Sequence, residues 1–291
     1  MKIVVLGGSG FLGSHIADAL SKKGHKVIIF DKKKSQWIKK SQKIVIGNVL
    51  NFSSLEKAIR GSQIVYNFAA LANIGYAKYK PIETAKINIL GTLNALTLSK
   101  KYNVERFIQA STIYATSEEG GFYARSKKAA EDYIEEFQNI YGLNYTILRF
   151  GSLYGERSDK SNGIRYIIEN AIKKKRLIYR GGKNAARRYI HVKDAAIACV
   201  EIINNRYKNK YLMITGNKLI KIYKIFNFLS NYFKIPRKKI KFLNEKHTGH
   251  YHKKPTAFKP KEGANFIIKK QKNFKKNLVK LINEQKGLNQ T

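Results

Sequence analysis

Read for the spacing of its apolar positions, the first 150 residues alternate with regularity. Ile3–Leu6 is a short β-branched run closed by Gly7, the mark of a buried strand. From Phe11 to Ser21 the apolar positions Leu12, Ile16, Ala19 and Leu20 follow a helical spacing that Gly24 ends. Lys26–Phe30 is a second apolar strand, Ile44–Ile46 a third and Ile64–Phe68 a fourth. Between the third and fourth, Phe52–Ile59 reads as a helix with Asn51 as its N-cap and Gly61 after its end. After Pro81, the residues Ala85, Ile89, Leu93, Leu96 and Leu98 predict one long helix. Arg106–Ala110 predicts a fifth strand, Tyr123–Tyr141 a helix with an acidic middle stopped by Gly142, and Tyr145–Phe150 a sixth strand. Such alternation requires crossovers between parallel strands, so the pattern predicts an α/β fold with a doubly wound parallel sheet.

Beyond Gly151 the pattern loosens. Ile164–Lys174 reads as a helix, Tyr189–Val192 as a strand, Asp194–Ile203 as a helix and Ile222–Phe233 as another among basic loops. We expect a first domain over 1–150, with 176–203 returning to it. A smaller substrate-binding part then comprises 151–175 and 204–291, lying beyond the carboxyl ends of the strands, where doubly wound sheets take ligands.

Composition alters this picture little. A chain of 291 residues with 43% hydrophobic content buries a substantial core. No stretch approaches 18 unbroken apolar residues, so no membrane span is expected. A single cysteine, Cys199, permits no intrachain disulfide and suits a reducing cytoplasm. The 57 Lys and Arg against 19 Asp and Glu give a formal charge of +38. These charges are spread along a chain equally rich in Ile, Asn and Tyr, as AT-rich codons produce. They form no arginine-rich tail, so no specific nucleic-acid partner is expected, and attraction of anionic substrates is the more economical consequence.

The glycines after the first strand carry chemistry. Gly7, Gly10 and Gly13 stand three apart: Gly7 for a tight turn, Gly10 for close approach of a phosphate, Gly13 for packing of helix on strand. The helix N-terminus that follows can hold a pyrophosphate. Asp31 closes the second strand, where its carboxylate can accept both hydroxyls of a ribose. It would repel a 2′-phosphate, which favours NAD over NADP. Lys32, Lys33 and Lys34 weaken that preference without reversing it.

After the fifth strand come Ala110-Ser111-Thr112 and, on the next helix, Tyr123 and Lys127. Residues four apart share a helix face. A free tyrosine titrates near pH ~10 and is a poor base at neutrality, but a neighbouring ammonium favours its phenolate. The pair makes a proton donor and acceptor for a carbinol or carbonyl, with Thr112 binding the same oxygen and a nicotinamide exchanging hydride.

With these residues in place, the chain resembles the extended short-chain dehydrogenase/reductases of the NAD-dependent nucleotide-sugar epimerase/dehydratase family over residues 1 to about 203. GGSGFLG matches the cofactor turn (Gly7, Gly10, Phe11, Leu12, Gly13), and GHKVIIFD places Asp31 at the ribose. GNVLNFSSLEKAIRG resembles the segment near adenine, with Asn48 and Val49 at the contact. Phe68, Ala69 and Ala70 resemble the stretch lining the cofactor, and Asn88 in INILGTLNAL a structural or cofactor-proximal asparagine. ASTIYA and YARSK imply catalytic roles for Thr112, Tyr123 and Lys127, the last two also touching cofactor together with Ser111. LRFGSLYGER and RRYIHVKDAA resemble two substrate-side segments, implying that Ser152 and Arg187 bind substrate. The resemblance implies a Rossmann fold, NAD as cofactor, a nucleotide-sugar substrate and a homodimer.

The departures lie on the substrate side. Ser111 directly precedes Thr112, leaving open which hydroxyl acts, and only ten residues separate Thr112 from Tyr123. Ser152 stands where many members have asparagine, and nothing after about residue 204 matches a quotable motif. Ile113-Tyr114 occupies the position where dehydration would want an acid pair, which favours epimerisation or simple oxidoreduction.

Other residues read as ordinary structure. His247, His250 and His252 lie in a lysine-rich loop with only Glu245 nearby, so no metal is expected. His191 and Cys199 read as packing residues, and Tyr154-Gly155 as a turn at the pocket wall. Arg187 and Arg188 face opposite sides of a strand, Arg187 toward a diphosphate. Two competing functions remain: a non-catalytic dinucleotide-binding protein with a basic docking surface, and a reductase of a non-nucleotide carbonyl.

Overall fold

A computed structural model describes residues 1–244, 264–265 and 272–287. The first apolar run forms β1 (Lys2–Leu6), in which Ile3, Val4, Val5 and Leu6 are all fully buried. Each such side chain contributes about 1.5–3 kcal/mol by leaving water. The chain continues as α1 (Phe11–Lys22), β2 (Lys26–Asp31), β3 (Gln42–Ile46), α2 (Phe52–Ile59) and β4 (Ile64–Asn67). Asn51 caps α2 as expected, accepting the Ser54 N–H.

The expected long helix after Pro81 is interrupted. It divides into α4 (Pro81–Ala85), a π turn over Lys86–Leu90 and α5 (Gly91–Lys101), preceded by a short α3 (Ile74–Ala77). The π turn widens the helix where Asn88 faces inward. That side chain is fully buried, accepts the Leu71 N–H at 2.7 Å and donates to Ser126 Oγ at 2.8 Å. An apolar periodicity cannot report a register change of this kind, which polar contacts impose. Then come β5 (Arg106–Thr112), α6 (Gly121–Tyr141) and β6 (Tyr145–Phe150).

Beyond these lie β7 (Ser152–Tyr154), α7 (Gly163–Lys174), β8 (Leu177–Tyr179), β9 (Ala186–His191), α8 (Val192–Glu201) and β10 (Lys210–Ile214). The last described elements are β11 (Leu219–Lys221), α9 (Ile222–Phe233), β12 (Ile240–Phe242), β13 (Ala264–Asn265) and α10 (Phe274–Gly287). Among the described residues the central sheet is parallel throughout, in the order β13-β10-β6-β5-β4-β1-β2-β3. Two small sheets, β11-β9-β7 and β12-β8, flank it.

The expected boundaries shift in two places. Strand β10 lies in the segment assigned to the smaller part, yet it pairs with β6 along its whole length. Its alternation is short and follows a basic loop, so it carries no distinctive sequence signal. Within 176–203, β8 and β9 belong to the small sheets, and the return to the central sheet is made chiefly by α8 packing on α1. There the Tyr66 hydroxyl donates to the Cys199 carbonyl at 2.6 Å, and Cys199 is packed as expected. A separate core joins α7, α9 and α10 through Ile168, Phe226, Leu229 and Ile282.

Candidate active site

The glycine turn is built by close approach. Gly7 has φ +78°, and a Cβ there would lie 2.7 Å from the Ala69 nitrogen. Gly10 is the extended N-cap of α1 and makes no side-chain cap, so among the described residues no capping side chain occupies the first-turn N–H groups. With no acid in that turn, the helix N-terminus suits an anionic group. Asp31 ends β2, and its Oδ2 accepts the Ser9 N–H at 3.0 Å, which ties the carboxylate to the turn. A carboxylate accepts about four hydrogen bonds, so capacity for ribose hydroxyls remains. Lys32, Lys33 and Lys34 are exposed beside it.

The remaining cofactor-side residues surround this turn. Asn48 folds its Oδ1 onto the Leu50 N–H at 3.1 Å, and buried Val49 packs against Gly91. Phe68 follows β4, its ring 6.0 Å from Tyr66 and 5.9 Å from Phe150, and leads into Ala69 and Ala70 beside Gly7. Phe11 and Leu12 open α1. Asn88 takes the structural role, locking residue 71 to α6. These groups lie beyond the carboxyl ends of adjacent parallel strands, and glycine cradle, bare helix end and ribose acid together fit a dinucleotide.

At the end of β5 the two hydroxyls have different surroundings: Thr112 lies beside the Tyr123 phenol, its Oγ1 accepting the Tyr114 N–H at 3.2 Å, whereas Ser111 donates its hydroxyl to the buried Glu131 carboxylate at 2.6 Å. Tyr123 and Lys127 share a face of α6. Burial pushes the Tyr123 phenol up to about 12, against the adjacent Thr112 hydroxyl, which favours phenolate. The Lys127 ammonium donates to the Ala110 carbonyl at 3.0 Å. Burial brings it down to about 8, opposed by Glu131. At neutral pH the pair is thus a neutral phenol and a charged ammonium.

On the other wall, Ser152 is the register partner of Tyr189, two residues from Arg187, so Ser152 and Arg187 stand on paired strands. The Arg187 guanidinium donates to the Tyr179 hydroxyl at 3.3 Å. Arg188 takes the opposite side and donates to the Asn217 carbonyl at 2.9 Å. His191 caps α8 by accepting the Lys193 N–H, and Tyr154 is buried in the second core. His247, His250 and His252 lie outside the described residues.

Sequence reasoning missed Glu131 and Arg149. Both are almost fully buried and form a two-point ion pair, with Nε–Oε1 at 3.0 Å and Nη2–Oε2 at 2.7 Å. The available signal was spacing: Glu131 stands four residues after Lys127, in the stretch read as the acidic middle of that helix.

Comparison with known proteins agrees with this geometry. The model of the NAD dependent epimerase/dehydratase family matches residues 3–214. A provisionally named UDP-glucose 4-epimerase of Methanocaldococcus jannaschii is 29% identical over 250 residues, covering 79% of this chain and 81% of that protein. UDP-glucuronate 4-epimerase 6 of Arabidopsis thaliana is 27% identical over 72% of this chain, which spans about half of that relative, 52%. Among solved structures, UDP-glucose 4-epimerase of Thermotoga maritima with UDP-glucose superposes with a TM-score of 0.75 at 26% identity, covering 84% of this chain and 90% of that one. UDP-glucose 4-epimerase of Thermus thermophilus with NAD shares the fold over 99% of both chains, with a TM-score of 0.79 at 22% identity.

Proposed function

Because this chain belongs to the NAD-dependent epimerase/dehydratase family, with NAD as its cofactor, we propose that it epimerises a nucleotide-activated sugar by a hydride round trip. The observation that carries this reading is the placing of Thr112 beside the Tyr123 phenol, with the buried Lys127 one helical turn further along the same helix. Gly7, Gly10 and Gly13 hold the pyrophosphate, Asp31 the adenosine ribose, and Lys127 the nicotinamide ribose. NAD, when bound, supplies the acceptor and later the donor of hydride, and its positive ring favours the phenolate of Tyr123. Tyr123 takes the proton of the sugar hydroxyl as that carbon is oxidised and returns it after the sugar has turned over in the site. Thr112 orients the same oxygen.

Ser152 and Arg187 bind the diphosphate, a role supported by their places on the paired strands β7 and β9. The product is a precursor for polysaccharide or other glycan, and the lone cysteine supports a cytoplasmic setting. The decisive experiment supplies UDP-glucose to the purified, NAD-loaded protein and follows formation of its 4-epimer. Calorimetry with UDP, dTDP and GDP identifies the base. Binding of none of the three would point to a non-nucleotide carbonyl instead.

A further inference from the structure

Helix α6 carries Lys127, Glu131 and Glu135 at successive four-residue steps, so all three lie on one stripe. The stripe faces strands and not solvent: Lys127 is 2% exposed and Glu131 0%. Lys127 reaches Ala110 and Glu131 reaches Ser111, both on β5, while Arg149 on β6 closes onto Glu131. Ser111 and Arg149 are direct register partners, so one carboxylate bridges two adjacent strands at the same level. Behind it, the Arg149 guanidinium lies 4.4 Å from the Tyr211 ring of β10. Glu135 in turn lies beside the hydroxyls of Tyr145 and Tyr211.

Burying an ion pair is a costly way to fasten a helix to a sheet, because apolar residues of similar volume often serve as well or better. This pair does something apolar residues cannot. It places a fixed negative charge one turn from an ammonium that burial drives toward neutrality, and it anchors the residue beside Thr112. We propose that Glu131, aligned by Arg149, is a positioning residue that keeps Lys127 charged and seats Thr112 against Tyr123.

The titratable groups of this stripe are few. Burial raises the phenols of Tyr123, Tyr145 and Tyr211, Glu135 lies beside the last two, and Arg149 pairs with Glu131. Glu131 is the charge that acts on Lys127, and it acts to retain the proton. Cofactor held through the Lys127 ammonium is then released as that proton leaves.

The inference rests on the role given to Lys127 above, and NAD affinity, which needs no turnover, tests it. NAD binding is measured by calorimetry from pH 6 to 10 for the wild type, Glu131→Gln and the double variant Glu131→Gln/Arg149→Met. In the wild type, affinity falls above about pH 8. In Glu131→Gln the fall begins at least half a pH unit lower, and affinity at pH 7 drops about threefold to tenfold. The double variant removes both buried charges and recovers thermal stability, yet keeps the displaced profile; it is also the test where the single variant does not fold.

A wild-type profile in the double variant would show a purely structural clasp and overturn the proposal, as would a wild-type affinity that is flat with pH. Turnover of UDP-glucose by the wild type is scored separately. Its absence beside the expected titration would overturn the epimerase reading alone, and turnover beside an unshifted titration would overturn this inference alone.

Discussion

The Thr112 hydroxyl stands beside the Tyr123 phenol, while that of its neighbour Ser111 is donated to Glu131 at 2.6 Å. Successive strand residues point to opposite faces, so only one of two adjacent hydroxyls can meet a given helix side chain at one site. Tyr123→Phe therefore lowers turnover by about a hundredfold to ten-thousandfold, the range for loss of a general acid–base group, while NAD affinity changes little. Thr112→Val lowers turnover by a smaller factor, and Ser111→Ala acts mainly on stability by leaving one oxygen of Glu131 short of a donor. Steady-state kinetics alongside thermal melts separates the three.

Asp31 sets cofactor choice. The wild type binds NAD in preference to NADP, because a 2′-phosphate would meet the carboxylate. Replacing Asp31 by Ser removes that repulsion and leaves the exposed Lys32, Lys33 and Lys34 to attract the phosphate. The ratio of NADP to NAD affinity rises at least about tenfold, on the scale of one lost like-charge contact. NAD affinity itself falls, since Ser9 also loses its partner. Fluorescence titration with the reduced cofactors measures both effects.

Gly13 admits no side chain. A Cβ at this position would stand 2.2 Å from the Gly7 carbonyl oxygen, against backbone that cannot yield. Gly13→Ala costs about 1–3 kcal/mol or more by overpacking and displaces the turn enough to abolish NAD binding. Denaturant melts and calorimetry check the two parts independently.

Stability falls in mild acid for a reason visible at His15. That ring is 5% exposed, lies 3.1 Å from the Glu156 carbonyl oxygen, and is held by burial at about 4. An unfolded histidine titrates near 6.5, so between pH 6.5 and 4 the unfolded chain binds a proton that the folded one refuses. Stability thus declines as pH drops through that window, by about 3 kcal/mol. Glu156 adds a second loss below the ordinary glutamate range, because His191 and Lys193 hold its carboxyl well below it when folded. Urea melts at pH 7, 5.5 and 4 record the decline, and His15→Gln flattens its upper part.

Helix α6 packs against both α4 and α5, and around them Tyr79, Ile82, Leu90, Phe122 and Tyr133 are exposed. We expect these groups to be covered by a second copy, giving a particle of twice 33.3 kDa by light scattering. Ile82→Glu, at a side chain 71% exposed, yields the monomer.

Much of the site was legible because its chemistry is local. The glycine turn, Asp31 and the Tyr123–Lys127 pair each sit within a few residues of the strand or helix end that presents them. What escaped depends on distant parts of the chain. Arg149 and Glu131 meet only once β6 and α6 pack, and an acidic residue on a helix is usually solvated. The break at Asn88 arises from hydrogen bonds to residues 71 and 126, which no periodicity encodes. Strand β10 is five residues long and gains its place by pairing with β6 and β13.

The path of the chain around the central sheet has a mechanical consequence. The backbone leaves that sheet after Phe150, rejoins its flank at Val192 and departs again after Ile214. Several covalent crossings stitch the two walls together, so neither can swing on a single pivot. On the function proposed above, a sugar that has lost hydride rotates between walls tied together in this way, and the room between them bears on which sugars are accepted.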